Sequence, residues 1–249
     1  MIKKYSNKFY ADVDSRANES AKEILDVVNE YIDFSGLDVV VDIGCGSGAW
    51  LNAFLLKSNA KIYGYDLIDS VAINKNRFTN YLGKRINLIA CDFEQLTNLK
   101  LPSADLGICL EVLEHLENET GKKIVEQMAN SCEVILFSAA TPGQGGTGHI
   151  NEKKHQYWLN QFEEKGFKVY DCVRPSLQKS TSTARYYALN TFLLVKSRKA
   201  VKRNLINLET TLVTGEIADF RNKLEKLQFY FLRFLPSSVV TQLSKILSH

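Results

Sequence analysis

Val39-Val40-Val41-Asp42-Ile43-Gly44-Cys45-Gly46-Ser47-Gly48 is the stretch on which the fold turns. Its first five residues, mostly β-branched, read as a short buried strand. Gly44, Gly46 and Gly48 then open the chain into a turn, and residues 48–57 return to helical spacing with Trp50, Leu51, Phe54 and Leu55 on one side. Glycines at a strand-to-helix turn let a ligand approach bare backbone with no Cβ in the way. A buried strand feeding a glycine turn and a helix is the first half of a βαβ unit.

The same alternation continues in both directions. Upstream, residues 15–34 carry Ala17, Ala21, Ile24, Leu25, Val28 and Ile32 at helical spacing. Downstream, residues 61–65, 86–90, 104–110, 133–138, 167–173 and 190–195 read as strands, with a helix over 117–128. Asn151 is placed as the cap of a helix that runs to Lys165 and is closed by Gly166. About seven strands alternating with helices call for right-handed crossovers and a mostly parallel sheet with helices on both faces, a Rossmann-like α/β fold. Ligands of such sheets bind beyond the carboxyl ends of the strands, where strand order reverses. The expected organisation is an N-terminal helical segment over 1–36 acting as a lid, a core over 37–196 and an amphipathic helical extension over 197–249.

Composition narrows the classes. The 249 residues are 45% apolar and 24% charged, ordinary for a globular protein. Five widely spread cysteines, Cys45, Cys91, Cys109, Cys132 and Cys172, form no CxxC pair, which speaks against a disulfide framework or a zinc site and for a reducing cytoplasm. The polar N-terminus does not read as a secretory signal, and no run of 18 apolar residues is present. From Lys196 onward ten Lys and Arg face four Asp and Glu, which leaves 21 against 24 before that point. The body is therefore slightly acidic, a poor start for a nucleic-acid groove.

The glycine turn alone is ambiguous, since Gly44 through Ala49 also satisfies the dinucleotide pattern G-x-G-x-x-G/A. Asp66, twenty residues past Gly46, ends the second strand where a carboxylate can grip a ribose, which suits NAD and S-adenosylmethionine equally. After the third strand comes Cys91-Asp92-Phe93, an acid and an aromatic; after the fourth comes Glu111-Val112-Leu113-Glu114-His115-Leu116. VDIGCGSG, YD, CDF and EVLEHL, in this order, resemble the successive motifs of class I S-adenosylmethionine-dependent methyltransferases. The resemblance implies that Gly44, Gly46 and Gly48 flank the methionine part of the cofactor, with Asp42 beneath them. It implies that Asp66 with Leu67 holds the ribose, Asp92 with Phe93 the adenine, and that Glu111 lies beside the cofactor. Other readings stand alongside: Asp42 orienting the loop, Asp66 a solvated strand end, Phe93 in the core, His115 a structural histidine.

Methyl transfer from a sulfonium needs chiefly alignment of acceptor, methyl carbon and sulfur, an effect that reaches about 7–11 kcal/mol. An aliphatic hydroxyl acceptor also benefits from a general base, worth about 100- to 10,000-fold. The loop after the fifth strand, residues 139–152, holds four glycines that would be costly to order without purpose. His149 is the histidine of that loop and the candidate base or acceptor contact; clamping the loop by a hydrogen bond is its bland alternative. Gln144 and Asn151 are acceptor-side candidates, as is Tyr157 on the following helix, where His155 reads as packing.

FSAATPGQGGTGHINEKKHQYWLNQFEEKGF, with Arg185-Tyr186-Tyr187 before Asn190, resembles a bacterial methyltransferase group associated with surface-polysaccharide and natural-product gene sets. That implies O-methylation of a sugar or glycan intermediate. Where the group carries Trp-Tyr, a polar residue and Asn, this chain has Tyr186-Tyr187-Ala188-Leu189-Asn190, which puts the acceptor pocket in doubt. A quinone, lipid or amine acceptor is the alternative, as is a non-catalytic cofactor-binding accessory subunit. An oxidoreductase shares the glycine turn, but Tyr31 and Tyr157 lack a lysine at the fourth following place. No metal is assigned: Glu111, Glu114 and His115 have no second ligand cluster at suitable spacing. Beyond Val195, Leu205, Leu208, Leu212, Leu224, Leu227, Phe231 and Leu235 recur at helical spacing after a basic stretch, 196–203. Residues 200–249 are thus expected to pack on the domain or a second copy, or to touch the inner membrane face peripherally.

Overall fold

The β-branched run from Val39 forms a strand buried on both faces, as an interior strand of a parallel sheet requires. In the computed structural model, which describes residues 7–95, 99–197, 205–232, 234–235, 239–240 and 242–243, seven strands make one sheet. They are β1 (Val39–Ile43), β2 (Lys61–Asp66), β3 (Ile86–Ala90), β4 (Ala104–Leu110), β5 (Cys132–Ser138), β6 (Lys168–Tyr170) and β7 (Phe192–Val195), in the order β3-β2-β1-β4-β5-β7-β6. The first five pair in parallel; β7 enters between β5 and β6, antiparallel to both.

Helices cover both faces. They are α1 (Asn7–Asn29), α2 (Ala49–Lys57), α3 (Ile68–Arg77), α4 (Asn118–Ser131), α5 (His155–Glu164), α6 (Val173–Ser176), α7 (Arg185–Asn190), α8 (Leu205–Glu209) and α9 (Lys223–Leu232). Alternate strand residues feed separate cores. Val40, Leu106 and Leu136 pack with Ile24 of α1, Phe54 of α2 and Tyr187 of α7. Val41, Ile135 and Phe137 pack with Met128 of α4 and Trp158 of α5. The helical stripe expected upstream is real: Ala17, Ala21, Ile24, Leu25, Val28 and Ile32 are all buried.

Three local expectations are corrected. Helix α3 was not anticipated, because IDSVAINKNR buries only Ser70, Val71 and Asn74 and so carries a thin apolar stripe. Asn151 does not cap α5, which starts at His155 after Lys154; its side chain donates instead to the Leu113 carbonyl at 3.4 Å. Asn190 closes helix α7 rather than opening the last strand. Gly166, at φ 89°, does end α5 as expected.

The described part of the extension lies on the domain. Tyr170 pairs with Leu212 in an antiparallel bridge, and the amide of Val213 donates to the Val169 carbonyl at 2.9 Å. Arg174, fully buried, pairs with Asp171 at 2.6 Å and donates to the carbonyls of Leu189 (3.2 Å) and Ala218 (3.1 Å). Its guanidinium is sandwiched by the rings of Phe192 and Phe220. Arg185 of α7 reaches Glu225 of α9 at 2.7 Å. Most of the basic stretch 196–203 lies outside the described residues.

Candidate functional site

Strand order reverses at β1 and β4, which run side by side with Ile43 opposite Cys109. The segments leaving them therefore meet at one edge. Gly44, Gly46 and Gly48 all take left-handed backbone, at φ 74°, 51° and 83°. Gly44 has a second reason to be glycine: a Cβ there would fall 2.5 Å from Val112 Cγ2, in the segment after β4. The glycine turn and the EVLEHL segment are in direct contact.

Asp66, at the end of β2, holds this turn from the other side. Its two oxygens accept from the amides of Gly46 and Leu67, each at 2.6 Å. Burial raises its carboxyl above the ordinary range, and these amides and Ser70 pull it back. Asn74 of α3 donates to the Gly46 carbonyl at 2.8 Å, and Arg77 to that of Ser47 at 2.5 Å, so the unanticipated helix braces the turn. Beneath it Asp42 is buried with Oδ2 lacking a hydrogen-bond partner; burial, and then the charge of Asp66, push its carboxyl up to about 8.

Glu111 is the described non-glycine residue with positive φ, 55°. Such backbone costs on the order of 1–3 kcal/mol and persists where surroundings over-determine it. The surroundings do so: its amide reaches the Ser138 carbonyl and Oγ, each at 3.1 Å. Its carboxylate accepts from Gln144 Nε2 at 2.8 Å and from Asn190 Nδ2 at 3.1 Å. Asn190 also donates to Gln144 Oε1 at 2.8 Å and meets His155 Nε2 at 3.0 Å. Desolvation raises the Glu111 carboxyl, and the donors from Gln144, Asn190 and Ser138 oppose it. Sequence reasoning named Gln144 but passed over Asn190 and His155 as site residues.

The glycine-rich loop is organised by one carboxylate. Glu152 accepts from the amides of Gly143 (2.9 Å) and Gly145 (2.8 Å) and from His149 Nδ1 (2.9 Å). Gly146 lies against the His149 ring so closely that no side chain fits there. The loop is pinned to the segment after β4, with the amides of Ile150 and Asn151 donating to the Glu114 carbonyl at 2.8 and 3.0 Å. The His149 ring thereby stands edge-on to His115, centroids 4.8 Å apart. Glu114 is fully buried beside them, and neither carboxylate oxygen has a hydrogen-bond partner. Desolvation, then the Glu111 charge, push it far above the carboxylate range; the amides of Glu114 and Ala140 ease this without reaching hydrogen-bond geometry.

All these parts except Asn151, Glu152, His155 and Asn190 fall inside residues 2–150, which match the model of the O-methyltransferase domain. The chain belongs to that family. The ubiquinone biosynthesis O-methyltransferase of Rickettsia canadensis is 34% identical over 97 residues, 37% of this chain and 37% of that one. The small RNA 2'-O-methyltransferase of Arabidopsis thaliana is 27% identical over 133 residues, 49% of this chain and 14% of the relative. The chain thus spans well under half the length of these curated relatives. Among solved structures, an O-methyltransferase family 2 protein from Planctomyces limnophilus in complex with apigenin shares the fold with a TM-score of 0.58 at 16% identity, over 76% of this chain and 61% of that one.

In this O-methyltransferase-family chain the remaining expected residues are placed as follows. Asp92 sits at the end of β3 and caps the turn of Phe93–Gln95, accepting from the Glu94 amide at 3.0 Å and Gln95 Nε2 at 2.9 Å. Phe93 is buried with Val41, Ile43 and Val112, so it belongs to the core at this edge. Asn151 is buried as a loop clamp. Tyr157 of α5 donates its hydroxyl to Asn118 Oδ1 at 2.7 Å, tying α5 to α4 and not to the Glu111 network. Glu114, inside the matched domain, and Glu152, just beyond it, are two further residues to which the sequence assigned no role; the E-x-x-E-H spacing was the visible signal for the first.

Proposed function

We propose that this chain transfers a methyl group from S-adenosylmethionine to a hydroxyl of a small polar acceptor, a sugar or glycan intermediate. The observation that carries this is Glu111, held in strained left-handed backbone between the glycine turn and the loop of Gln144 and His149. On this reading Gly44, Gly46 and Gly48 pass the methionine part of the cofactor, Asp66 with Leu67 takes the ribose, and Asp92 and Phe93 border the adenine. Asp42 supports the turn from below. The donor is already activated, so the protein's work is alignment, with the acceptor brought in line behind the methyl carbon. Activation of the hydroxyl is assigned to the His149 end of the site, where Glu152 fixes the imidazole.

A cleft of about 640 Å³ opens beside this network, bordered by Thr141, His155, Asn190, Arg221, Phe229 and Tyr230. Its size and its mix of polar and aromatic groups suit a sugar-sized acceptor. The resemblance to the polysaccharide-associated group supports the same class. Calorimetry with S-adenosylhomocysteine and with NADH tests the cofactor; incubation with nucleotide sugars and glycans, read by mass spectrometry for the gain of one methylene mass, tests the acceptor. Binding of NADH with no binding of S-adenosylhomocysteine would overturn the reading.

A quinone-like or lipid-borne acceptor is the second reading, favoured by the exposed apolar side chains Leu224, Leu227, Tyr230 and Phe231 on α9. No helix among the described residues is long and apolar enough to cross a membrane, so contact would be peripheral. Flotation with anionic vesicles, comparing the protein with its Leu227→Glu/Phe231→Glu variant, decides this: equal flotation removes the membrane contact. We also assign residues 1–36 as a lid over the site, residues 37–196 as the catalytic core, and a reducing cytoplasm, which five unpaired cysteines support.

A further inference from the structure

The cleft beside the Glu111 network draws its lining from two parts of the chain. His155 and Asn190, joined at 3.0 Å, belong to the network itself. Residues 216–221, 226, 229 and 230, all from the extension, supply about half of the rest. Charge sets this lining apart from the body of the chain, where 21 Lys and Arg face 24 Asp and Glu before Lys196. Arg174 is neutralised by Asp171 at 2.6 Å. The other charged groups of the lining are three cations, Lys154, Arg221 and Lys226, against two carboxylates, Asp219 and Glu216. Asp219 is shared, with Arg221 Nε at 2.8 Å, its Nη2 at 3.0 Å and Lys226 Nζ at 3.9 Å. Arg221 is fixed before anything binds: Asp219 holds one edge of its guanidinium, and its Cζ stands 4.7 Å from the centre of the Phe229 ring. The N–H groups on its Nη1 have no partner among the described residues, and a planar fork half open in this way matches the oxygens of a phosphate.

We propose that the acceptor enters this cleft as a phosphate ester of a sugar, joined through phosphate to a nucleoside or a lipid, with its anion held by Arg221, Lys226 and Lys154. Tyr230, half exposed in the same lining, offers a ring face to the group beyond the phosphate. At about 640 Å³ the cleft falls in the range that encloses ligands of several rings, so phosphates fit beside the sugar. The cations also act on the inner residues. Burial first, then the charges of Arg174 and Arg221, hold the His155 imidazole down at about 4 against the Asn190 hydrogen bond and the Asp219 charge. His155 is therefore neutral, and the positive charge of the lining stays on its lysines and arginines. Asn190 Nδ2 donates to Glu111 and Gln144, so its Oδ1 accepts from His155 Nε2. That leaves His155 Nδ1 as an acceptor for a sugar hydroxyl. The anion site stands on the geometry of the cleft, whereas its service to a methyl acceptor rests on the methyl-transfer reading.

The test is calorimetry on the full-length protein with uridine diphosphate, farnesyl diphosphate and methyl glucoside. A diphosphate should bind more tightly than methyl glucoside by about tenfold or more, the worth of one charged hydrogen bond. Tighter uridine diphosphate assigns the phosphate to a nucleotide, tighter farnesyl diphosphate to a lipid carrier. Arg221→Ala and Lys226→Ala should each weaken the diphosphate by about tenfold, and Arg221→Lys, which keeps the charge but loses the fork, by less. S-adenosylhomocysteine binding by the same variants, expected unchanged, is the check on folding. Wild-type protein that binds S-adenosylhomocysteine but neither diphosphate, or diphosphate binding that Arg221→Ala and Lys226→Ala leave untouched, would overturn the site. Diphosphate binding lost in these variants, with no S-adenosylhomocysteine binding by the wild type, would instead overturn the methyl-transfer reading and leave the anion site standing.

Discussion

Asn190, the last residue of α7, donates a 3.1 Å hydrogen bond to the carboxylate of Glu111, 79 residues earlier in the chain. One amide group thereby joins the end of β4 to the segment before β7, and its other bonds draw in Gln144 and His155. Asn190→Ala leaves two half-buried acceptors, on Glu111 and Gln144, short of a donor, and each such loss costs about 1 kcal/mol. Turnover should fall by about one to two orders of magnitude. Asn190→Asp should be worse, since it sets a carboxylate against Glu111. Urea denaturation and single-turnover rates compare the two; an Asp variant as active as the Ala variant would contradict this geometry.

Gly146 and His149 give a cleaner separation of site from scaffold. Any side chain at 146 collides with the imidazole ring. Gly146→Ala should therefore displace His149 and lower turnover at least tenfold, while S-adenosylhomocysteine affinity, set at the other end of the site, stays within about twofold. A matched loss of both would show that the loop collapsed as a whole.

Stability should depend on pH through two buried groups with opposite signs. Asp42, ordinarily titrating at 3.8 and raised to about 8 by burial and the Asp66 charge, keeps its proton in the folded chain and loses it on unfolding. Its contribution therefore declines as pH rises between those values. His155, lowered from 6.5 to about 4 chiefly by burial, does the reverse: the stability it contributes is full above 6.5 and lost as pH falls toward 4. The two slopes oppose each other up to about 6.5; from there to about 8 the Asp42 decline, roughly 2 kcal/mol, runs in the same direction as that of Glu111, Glu114 and Asp66, whose carboxyls burial also raises. Asp42→Asn should make stability fall less steeply between pH 6.5 and 8 by that amount. Denaturation midpoints at pH 5, 6.5 and 8 measure it; an unchanged profile in the variant would refute the assignment.

Arg174 is the structural counterpart. Removing a partner from a buried ion pair costs about 3–5 kcal/mol, because the remaining charge is stranded. Arg174→Ala should destabilise the protein by that amount and Arg174→Lys by nearly as much, since lysine has no planar face for Phe192 and Phe220. A change under 1 kcal/mol in thermal or urea denaturation would show that the tail is not held there.

The strand set and glycine turn were legible in the sequence because both rest on local pattern: a β-branched run, alternate glycines, and a carboxylate twenty residues on. The helix from Ile68 was hidden because its job is polar, with Asn74 and Arg77 spent on turn carbonyls. Asn151 looked like a helix cap because a capping side chain and a loop clamp share one chemistry; only the position of Leu113 separates them. The gathering of Glu114, His115 and His149 was invisible for a different reason. Nothing local joins positions 115 and 149; their meeting follows from the parallel pairing of β4 with β5 and from the Ile150 and Asn151 amides that fold the loop back.

The arginine that fastens the tail also ties two distant parts of the molecule together. Arg174 holds Ala218 with the same nitrogen that holds Leu189, the neighbour of Asn190, while Arg185 at the other end of α7 grips Glu225. Any body that seizes the outer surface of α9 is thus tugging on the short helix whose final amide steadies Glu111. Docking at the periphery and readiness at the centre are coupled by a handful of polar contacts, so trimming the chain at its apparent domain boundary would remove an anchor as well as an appendage.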